Sequence, residues 1–231
     1  MAPLLSFANS MNVYSETLRY LNRSREDDAC VELLKQQWSE KIFSLLGLDL
    51  EIVGQVYQAK SILLVGNHIS YLDIPLLFNS VKGVSFVAKH EISTWPLFGA
   101  AARKTDTVFV KRECGNSRKM AREAVHEALE RGQRIAIFPS GTTSISESKV
   151  WRKGAFEIAY EKEILVQPFR ISYSPLREVA YIDDDFFPTH LGRLFRLKRI
   201  QAKIEFHPPV KITDPIKECL AWSNWAREAL R

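Results

Sequence analysis

The chain has 231 residues, 46% of them hydrophobic and 26% charged, and a formal net charge of +5. That length and balance suit one domain with a substantial core and exclude a low-complexity chain. The mild basic excess favours an anionic partner (nucleic acid, a phospholipid surface or a phosphorylated ligand) without choosing among them.

The N-terminal stretch "MAPLLSFANSMNVYSE" lacks the basic and apolar regions of a signal peptide, so none is expected. No uncharged apolar run approaches the roughly 18–20 residues of a membrane-spanning helix. The three cysteines, Cys30, Cys114 and Cys219, are far apart and form no metal-ligand spacing, which suggests a reducing compartment. Residues 24–47 read as one long helix. Ser24 and Asp27 form a capping pattern, and Val31, Leu34, Trp38, Ile42, Leu45 and Leu46 share an apolar face. Gly47 ends it. Such a helix packs on the core, or lies at a membrane surface with Trp38 at headgroup level.

From residue 60 the pattern alternates. β-Branched runs at 61–66, 84–89, 106–112, 134–139 and 164–172 predict strands. Helices are expected at 74–81, about 93–104, 116–131 and 152–162. The helix at 116–131 carries Met120, Ala124, Ala128 and Leu129 on one side, with Gly132 past its end. Residues 190–203, "HLGRLFRLKRIQAK", read as a basic amphipathic helix suited to an anionic bilayer or an acidic carrier protein, or as a solvated helix held by its leucines. A strand at 202–210 and a final helix capped by Asp214, with Pro215 at its first position, complete the chain. The fold class expected is α/β: a mixed, largely parallel central sheet flanked by helices. We expect a single domain, with a helical N-terminal segment over 1–55 and an α/β core over 56–231.

Polar residues gather after the expected strands. Asn67 and His68 follow the first, Lys89 the second, and Arg112 the third. Ser140, Gly141, Thr142 and Thr143 follow the fourth. Ligand crevices of open α/β sheets lie at those strand ends. "NHISYLD" places Asp73 five residues after His68. Asp73 can simply cap a helix that tolerates Pro75 in its first turn. It can also reach back to one ring nitrogen of His68, fix its tautomer and leave the other nitrogen as a base. Asn67 would hold the turn. No nucleophile is close in sequence, so such a base would deprotonate a group on the substrate. In "FPSGTTS", Gly141 and the following hydroxyls suit an oxyanion or a phosphate, or form a plain turn. Lys89 is a solvated lysine or a phosphate ligand; Arg112 forms a surface ion pair or a bidentate phosphate contact.

Taken together and in order, these residues resemble the glycerolipid acyltransferase family, the lysophosphatidic acid acyltransferase-like (1-acyl-sn-glycerol-3-phosphate acyltransferase) enzymes. "NHISYLD" matches the family's N-H-x4-D motif. Lys89, Glu91, Ile92, Pro96 and Gly99 match the second motif, with Arg112 as its downstream arginine. Phe138, Pro139, Gly141, Thr142 and Ser144 match the third, F-P-E-G-T-R-S. Val166 and Pro168 match the fourth. The resemblance covers about residues 60–172 and implies acyl transfer from acyl-CoA or acyl-acyl-carrier-protein to the hydroxyl of a lysolipid. His68 would be the base and Asp73 its orienting partner. Asn67, Lys89, Arg112, Ser140, Gly141, Thr142 and Thr143 would serve substrate binding. No metal and no resident cofactor are implied. The partners would be the lysolipid, the acyl carrier and a membrane surface, with no nucleic acid; the setting would be the cytoplasmic face of a bacterial-type membrane. Two positions depart from the family: its glutamate is Ser140 here and its arginine is Thr143. Losing an acid and a base together keeps the local charge and alters recognition; Lys89 and Arg112 keep lysophosphatidic acid as an acceptor, and a different lysophospholipid or a lyso-aminolipid becomes credible.

Two rivals stand beside this reading. A serine hydrolase would use Ser140 with His68, but "FPSGT" lacks the glycine two residues ahead of the serine that a nucleophile elbow needs. A non-catalytic lipid- or carrier-binding protein on the same scaffold is favoured by the changes at 140 and 143 and opposed by the intact His68–Asp73 pair.

Overall fold

The computed structural model describes residues 12–13, 15–22, 31–95, 97–110, 117–146, 150–182 and 184–230. The expected helix cap at Ser24 and Asp27, Cys30, Cys114, Pro96 and Arg112 lie outside the described residues.

A short helix, α1 (residues 15–22), precedes α2 (Val31–Leu46). The α2 face expected from the sequence is the buried one: Leu34, Ile42 and Leu46 are inside, and Gly47 follows at φ +60°. Trp38 is half-buried and packs inward. Its indole donates to Thr17 Oγ1 at 3.2 Å and its ring meets Phe78 edge-on.

Seven strands form one sheet in the order β1-β7-β6-β2-β5-β3-β4. They are β1 (Leu48–Val53), β2 (Ile62–Gly66), β3 (Val84–Lys89), β4 (Val108–Val110), β5 (Arg134–Ile137), β6 (Val166–Ser174) and β7 (Ile200–Phe206). All neighbouring pairs are parallel except β6–β7. The mixed, largely parallel sheet expected from the alternation is therefore present. Between the strands run α3 (Asp73–Ser80), a 3-10 turn (His90–Thr94), α4 (Phe98–Lys104), α5 (Ser117–Glu130) and α6 (Gly154–Glu161). After β6 come α7 (Leu176–Val179) and α8 (Phe187–Leu194), and α9 (Pro215–Arg227) follows β7.

β2 is the axis of the core. Ile62, Leu63, Leu64 and Val65 have no exposed surface, and their period-2 alternation divides them between the two faces. Ile62 and Leu64 join α2, α3 and α8 residues such as Leu46, Leu76 and Leu191. Leu63 and Val65 join Leu129 of α5, Phe156 of α6 and Ala226 of α9. Burying each such side chain contributes about 1.5–3 kcal/mol. Gly66 closes the strand: a Cβ there would sit 2.4 Å from the Phe169 ring of β6.

The structure corrects three expectations. β1 lies inside the segment read as helical over 1–55, so the sheet begins before residue 56. Its six residues pair with β7 in register from Leu48↔Ile200 to Val53↔Glu205, with Leu48 buried and Asp49, Glu51 and Ile52 exposed. The basic helix over 190–203 does not form. α8 stops at Leu194 with His190, Leu191 and Leu194 buried, and β7 begins at Ile200, where pairing on both sides outweighs the helical spacing of leucines and arginines. Met120 is 66% exposed, and Val125 takes the inner position on α5 with Ala128 and Leu129. The last helix follows its sequence closely. Asp214 accepts from the amides of Ile216 and Lys217 at 3.0 and 3.1 Å, and Pro215 occupies the first turn.

One charge is buried at the amino end of the sheet, away from the polar strand ends. Lys35 is 4% exposed; its ammonium donates to Glu32 Oε1 at 2.5 Å and to Val84 O at 3.2 Å. Glu32 in turn accepts from the Gly83 amide at 2.6 Å. This cluster ties α2 to the start of β3. Replacing Lys35 with Ala should cost about 1–3 kcal/mol by stranding the Val84 carbonyl and the Glu32 carboxylate, read as a lower urea midpoint with unchanged m-value.

Candidate active site

The carboxyl end of β2 leads through a tight turn into α3, and both candidate residues flank that turn. His68 Nδ1 lies 2.6 Å from Asp73 Oδ2. The same oxygen accepts from the amides of Ile69 at 2.7 Å and Ser70 at 3.2 Å. Asp73 Oδ1 accepts from the Tyr173 hydroxyl at 2.8 Å. The carboxyl group has no exposed surface and meets four donors. It thus combines both roles open to it in the sequence: it satisfies the backbone of the turn and orients His68. An Nδ1–H that donates to Asp73 leaves Nε2 as the acceptor nitrogen. That nitrogen has no hydrogen-bond partner among the described residues, and the imidazole keeps 19% of its surface.

Tyr173 was not legible as a site residue. It stands on β6, 100 residues from Asp73, and only the β2–β6 pairing brings them together. Burial first, then the Asp73 charge, pushes the phenol well above its ordinary pKa, so it remains a donor. Phe138 was legible only as a motif residue. Its ring stacks on the imidazole at 4.0 Å and 9°, and Phe86 stacks beyond it at 6.3 Å. This apolar backing fixes the ring plane of His68.

Asn67 holds the turn, as one of its two expected roles has it. Its amide donates to Ile171 O and accepts from Ile171 N, both at 2.8 Å. This side-chain rung continues the β2–β6 ladder past Gly66↔Phe169. The side chain is 6% exposed and both its polar ends are engaged.

The loop after β5 wraps the turn. Gly141 takes φ +72°, a backbone region that favours glycine, and its amide donates to Phe138 O at 3.0 Å. Ser144 N donates to His68 O at 2.8 Å, which locks this loop to the turn. Ser140 Oγ donates to Thr142 O at 2.7 Å, and Thr143 Oγ1 donates to Tyr181 O. Both hydroxyl protons are therefore committed to backbone. Ser140 is 8% exposed and turned to its own loop, which disfavours the hydrolase geometry. Thr142 is exposed. Lys89 ends β3, 47% exposed, with its ammonium 3.1 Å from Glu91. Glu91's own backbone amide, then the Lys89 charge, outweigh its partial burial and hold that carboxyl below its usual range. Strand order places Lys89 two strands from β2, roughly 10 Å sideways.

His190, read as a polar residue of a basic helix, is fully buried. Its Nδ1 accepts from Tyr71 and its Nε2–H donates to Ala180 O, at 2.9 and 3.0 Å. Burial lowers its pKa, so it is a neutral structural histidine that braces the far side of the turn.

Replacing Tyr173 with Phe removes one of four donors and leaves the other three in place. We expect about 1–2 kcal/mol lost in stability, measured by urea unfolding. An unchanged midpoint would mean that Asp73 does not depend on the phenol.

A family model described as Acyltransferase matches residues 49–172, more than half of the chain. A lyso-ornithine lipid O-acyltransferase of Pseudomonas aeruginosa is 34% identical over 197 residues, covering 81% of this chain and 75% of that protein. A protein of the same description from Brucella abortus is 30% identical, covering 78% and 77%. A 1-acyl-sn-glycerol-3-phosphate acyltransferase of Neisseria gonorrhoeae is 31% identical over 63% of this chain and 58% of its own. Among solved structures, the 1-acyl-sn-glycerophosphate acyltransferase of Thermotoga maritima superposes with a TM-score of 0.74 over 100% of this chain and 96% of that one; at 18% identity it speaks for the fold. With the matched span running from β1 through the His68–Asp73 turn and the post-β5 loop into β6, this chain belongs to the acyltransferase family.

Proposed function

We propose that this acyltransferase moves a fatty acyl group from a carrier thioester to the hydroxyl of a lyso-aminolipid of the lyso-ornithine type. The observation that carries the reading is the oriented pair: His68 Nδ1 at 2.6 Å from a fully buried Asp73, with Nε2 left as acceptor. Two further points support the acceptor. The relatives from Pseudomonas aeruginosa and Brucella abortus, each aligned over more than three quarters of this chain, are named for lyso-ornithine lipid. Positions 140 and 143 hold no acid and no guanidinium, and their hydroxyls face backbone carbonyls. An amino-acid headgroup carries a carboxylate and an ammonium where lysophosphatidate carries a phosphate, so a phosphate clamp at those positions is not required.

In this mechanism the acceptor hydroxyl gives its proton to His68 Nε2 as its oxygen attacks the thioester carbonyl. Asp73 stabilises the resulting imidazolium. The tetrahedral intermediate collapses to the ester, and the departing thiolate takes the proton back from His68. The Gly141 amide is committed to Phe138 O, so the oxyanion falls to the amides of Thr142 and Thr143, which make no hydrogen bond among the described residues. Lys89 and Arg112 are assigned to anionic groups of either substrate. Acyl-CoA and acyl-acyl-carrier-protein present the same thioester arm, and both are candidate donors. No described helix is long and apolar enough to cross a membrane. We infer peripheral action at the cytoplasmic face of a bacterial membrane, where a lysolipid is presented. A single domain over 1–231 is part of this reading; a sheet that joins β1 to β7 supports it.

The test is a transfer assay with radiolabelled acyl-CoA and acyl-carrier protein against lyso-ornithine lipid and lysophosphatidate. Wild type should acylate lyso-ornithine lipid from at least one donor. His68→Ala should lose about 10²–10⁴-fold in kcat, while Ser140→Ala should stay within about tenfold because its hydroxyl serves the loop. Undiminished transfer by His68→Ala would overturn the mechanism.

A further inference from the structure

The imidazole of His68 is held on two different sides. In its own plane, Nδ1 meets Asp73 at 2.6 Å. Out of that plane, one face of the ring lies on Phe138, with centroids 4.0 Å apart and planes 9° from parallel. The first contact supplies a charge. The second supplies an aromatic face.

The core fixes the Phe138 ring. Phe86 of β3, 5% exposed, lies near-parallel to it at 6.3 Å and 13°. Phe169 of β6, with no exposed surface, meets it in a T-shape at 5.9 Å and 78°. Phe169 has its place because residue 66 is glycine: a Cβ there would sit 2.4 Å from the Phe169 ring. Buried rings from two strands therefore set the plane of Phe138, which directly follows β5, and the imidazole lies flat against it.

An aliphatic side chain could back the imidazole equally well as packing. What an aromatic ring adds is a quadrupole with a negative face. A cation within about 6 Å of that face is attracted to it, and a neutral ring far less. His68 is neutral as the base and cationic once it has taken the proton, so this attraction grows along the reaction and lowers its barrier. Asp73 leaves room for such a second source. Its carboxylate is shared among four donors, and the Ile69 and Ser70 amides and the Tyr173 hydroxyl each draw on the charge that faces the imidazole.

We propose that the face of the Phe138 ring stabilises the imidazolium of His68 as the proton leaves the acceptor hydroxyl. The inference rests on the base role of His68 given above and adds a second stabiliser of its charge. No bond to Phe138 forms or breaks. The proton still passes from the hydroxyl to Nε2 and then to the departing thiolate. Phe138 acts through His68 and is a positioning residue with an electrostatic share in the reaction.

The experiment grades the charge on the ring face and leaves its shape nearly constant. Phe138 of the full chain is replaced by mono-, di- and trifluorinated phenylalanine, and Phe138→Leu is made beside them. Each is assayed with whichever of lyso-ornithine lipid and lysophosphatidate the wild type acylates, on the flat part of its pH profile. Stepwise fluorination should lower kcat in steps, to about threefold to thirtyfold below wild type for the trifluorinated ring. KM should change little. Phe138→Leu should fall at least as far as the trifluorinated ring. In a His68→Ala background the residual rate should not respond to fluorination, because no imidazolium forms there. A kcat that is flat across the fluorinated series would overturn the inference, as would a loss carried by KM alone or an equal loss in the His68→Ala background. If Phe138→Leu does not fold, the nearly isosteric fluorinated rings decide. A full rate in His68→Ala would overturn the base assignment itself. A collapsed rate in His68→Ala with a flat fluorinated series would overturn the role of Phe138 and leave that assignment standing.

Discussion

A carboxylate with no exposed surface is the constraint on which the rest of this site depends. Burying Asp73 is costly unless its oxygens are met by donors. The chain meets them four times, from two turn amides, one imidazole and one phenol. Each bond removes a freedom. The amides fix the turn between β2 and α3, the imidazole bond fixes the tautomer of His68, and the phenol fixes β6 against the turn. The base is therefore positioned by the same interactions that make the buried charge tolerable.

The sheet order explains why this is possible. β2 lies between β6 and β5, parallel to both, so three strand ends open at one level. Asn67 adds a side-chain rung to β6, and Gly66 lets the Phe169 ring pack where a Cβ would collide. From the β5 side, Phe138 lies flat against the imidazole, and the Ser144 amide ties the loop to His68 O. The histidine is held from both neighbouring strands, with no soft direction left for its ring.

Much of this was readable from local pattern. The β2 run, the N-H-x4-D spacing, the Gly141 turn and the Asp214–Pro215 helix start each follow from residues within a few positions of one another. What escaped depends on distant partners. Tyr173 and Ile171 meet the turn across 100 and 104 residues, and no local spacing marks them. β1 is an edge strand with half its side chains in water, and it is defined only by pairing with β7 some 150 residues later. Residues 190–203 carry a helical spacing of leucines and arginines, yet the pairing of Ile200–Phe206 with strands on both sides prevails over it. His190, at the start of that stretch, is buried on α8 against Tyr71 and Ala180. Asn67 was legible as a residue that holds the turn; what was not legible is its partner, the Ile171 backbone 104 residues away.

Reaction and recognition separate in this architecture. The pair proposed for proton transfer is built from β2, α3 and β6, whose positions are fixed by the core. On the proposed reading, the residues assigned to the acceptor sit at the margins: Lys89 on the β3 side and the loop at 140–143. The loop residues Ser140 and Thr143 turn their hydroxyls to backbone carbonyls. Thr143 illustrates the consequence. With its hydroxyl on Tyr181 O, it ties the post-β5 loop to the segment after β6, a structural contact at a position where a long cationic side chain would reach for phosphate.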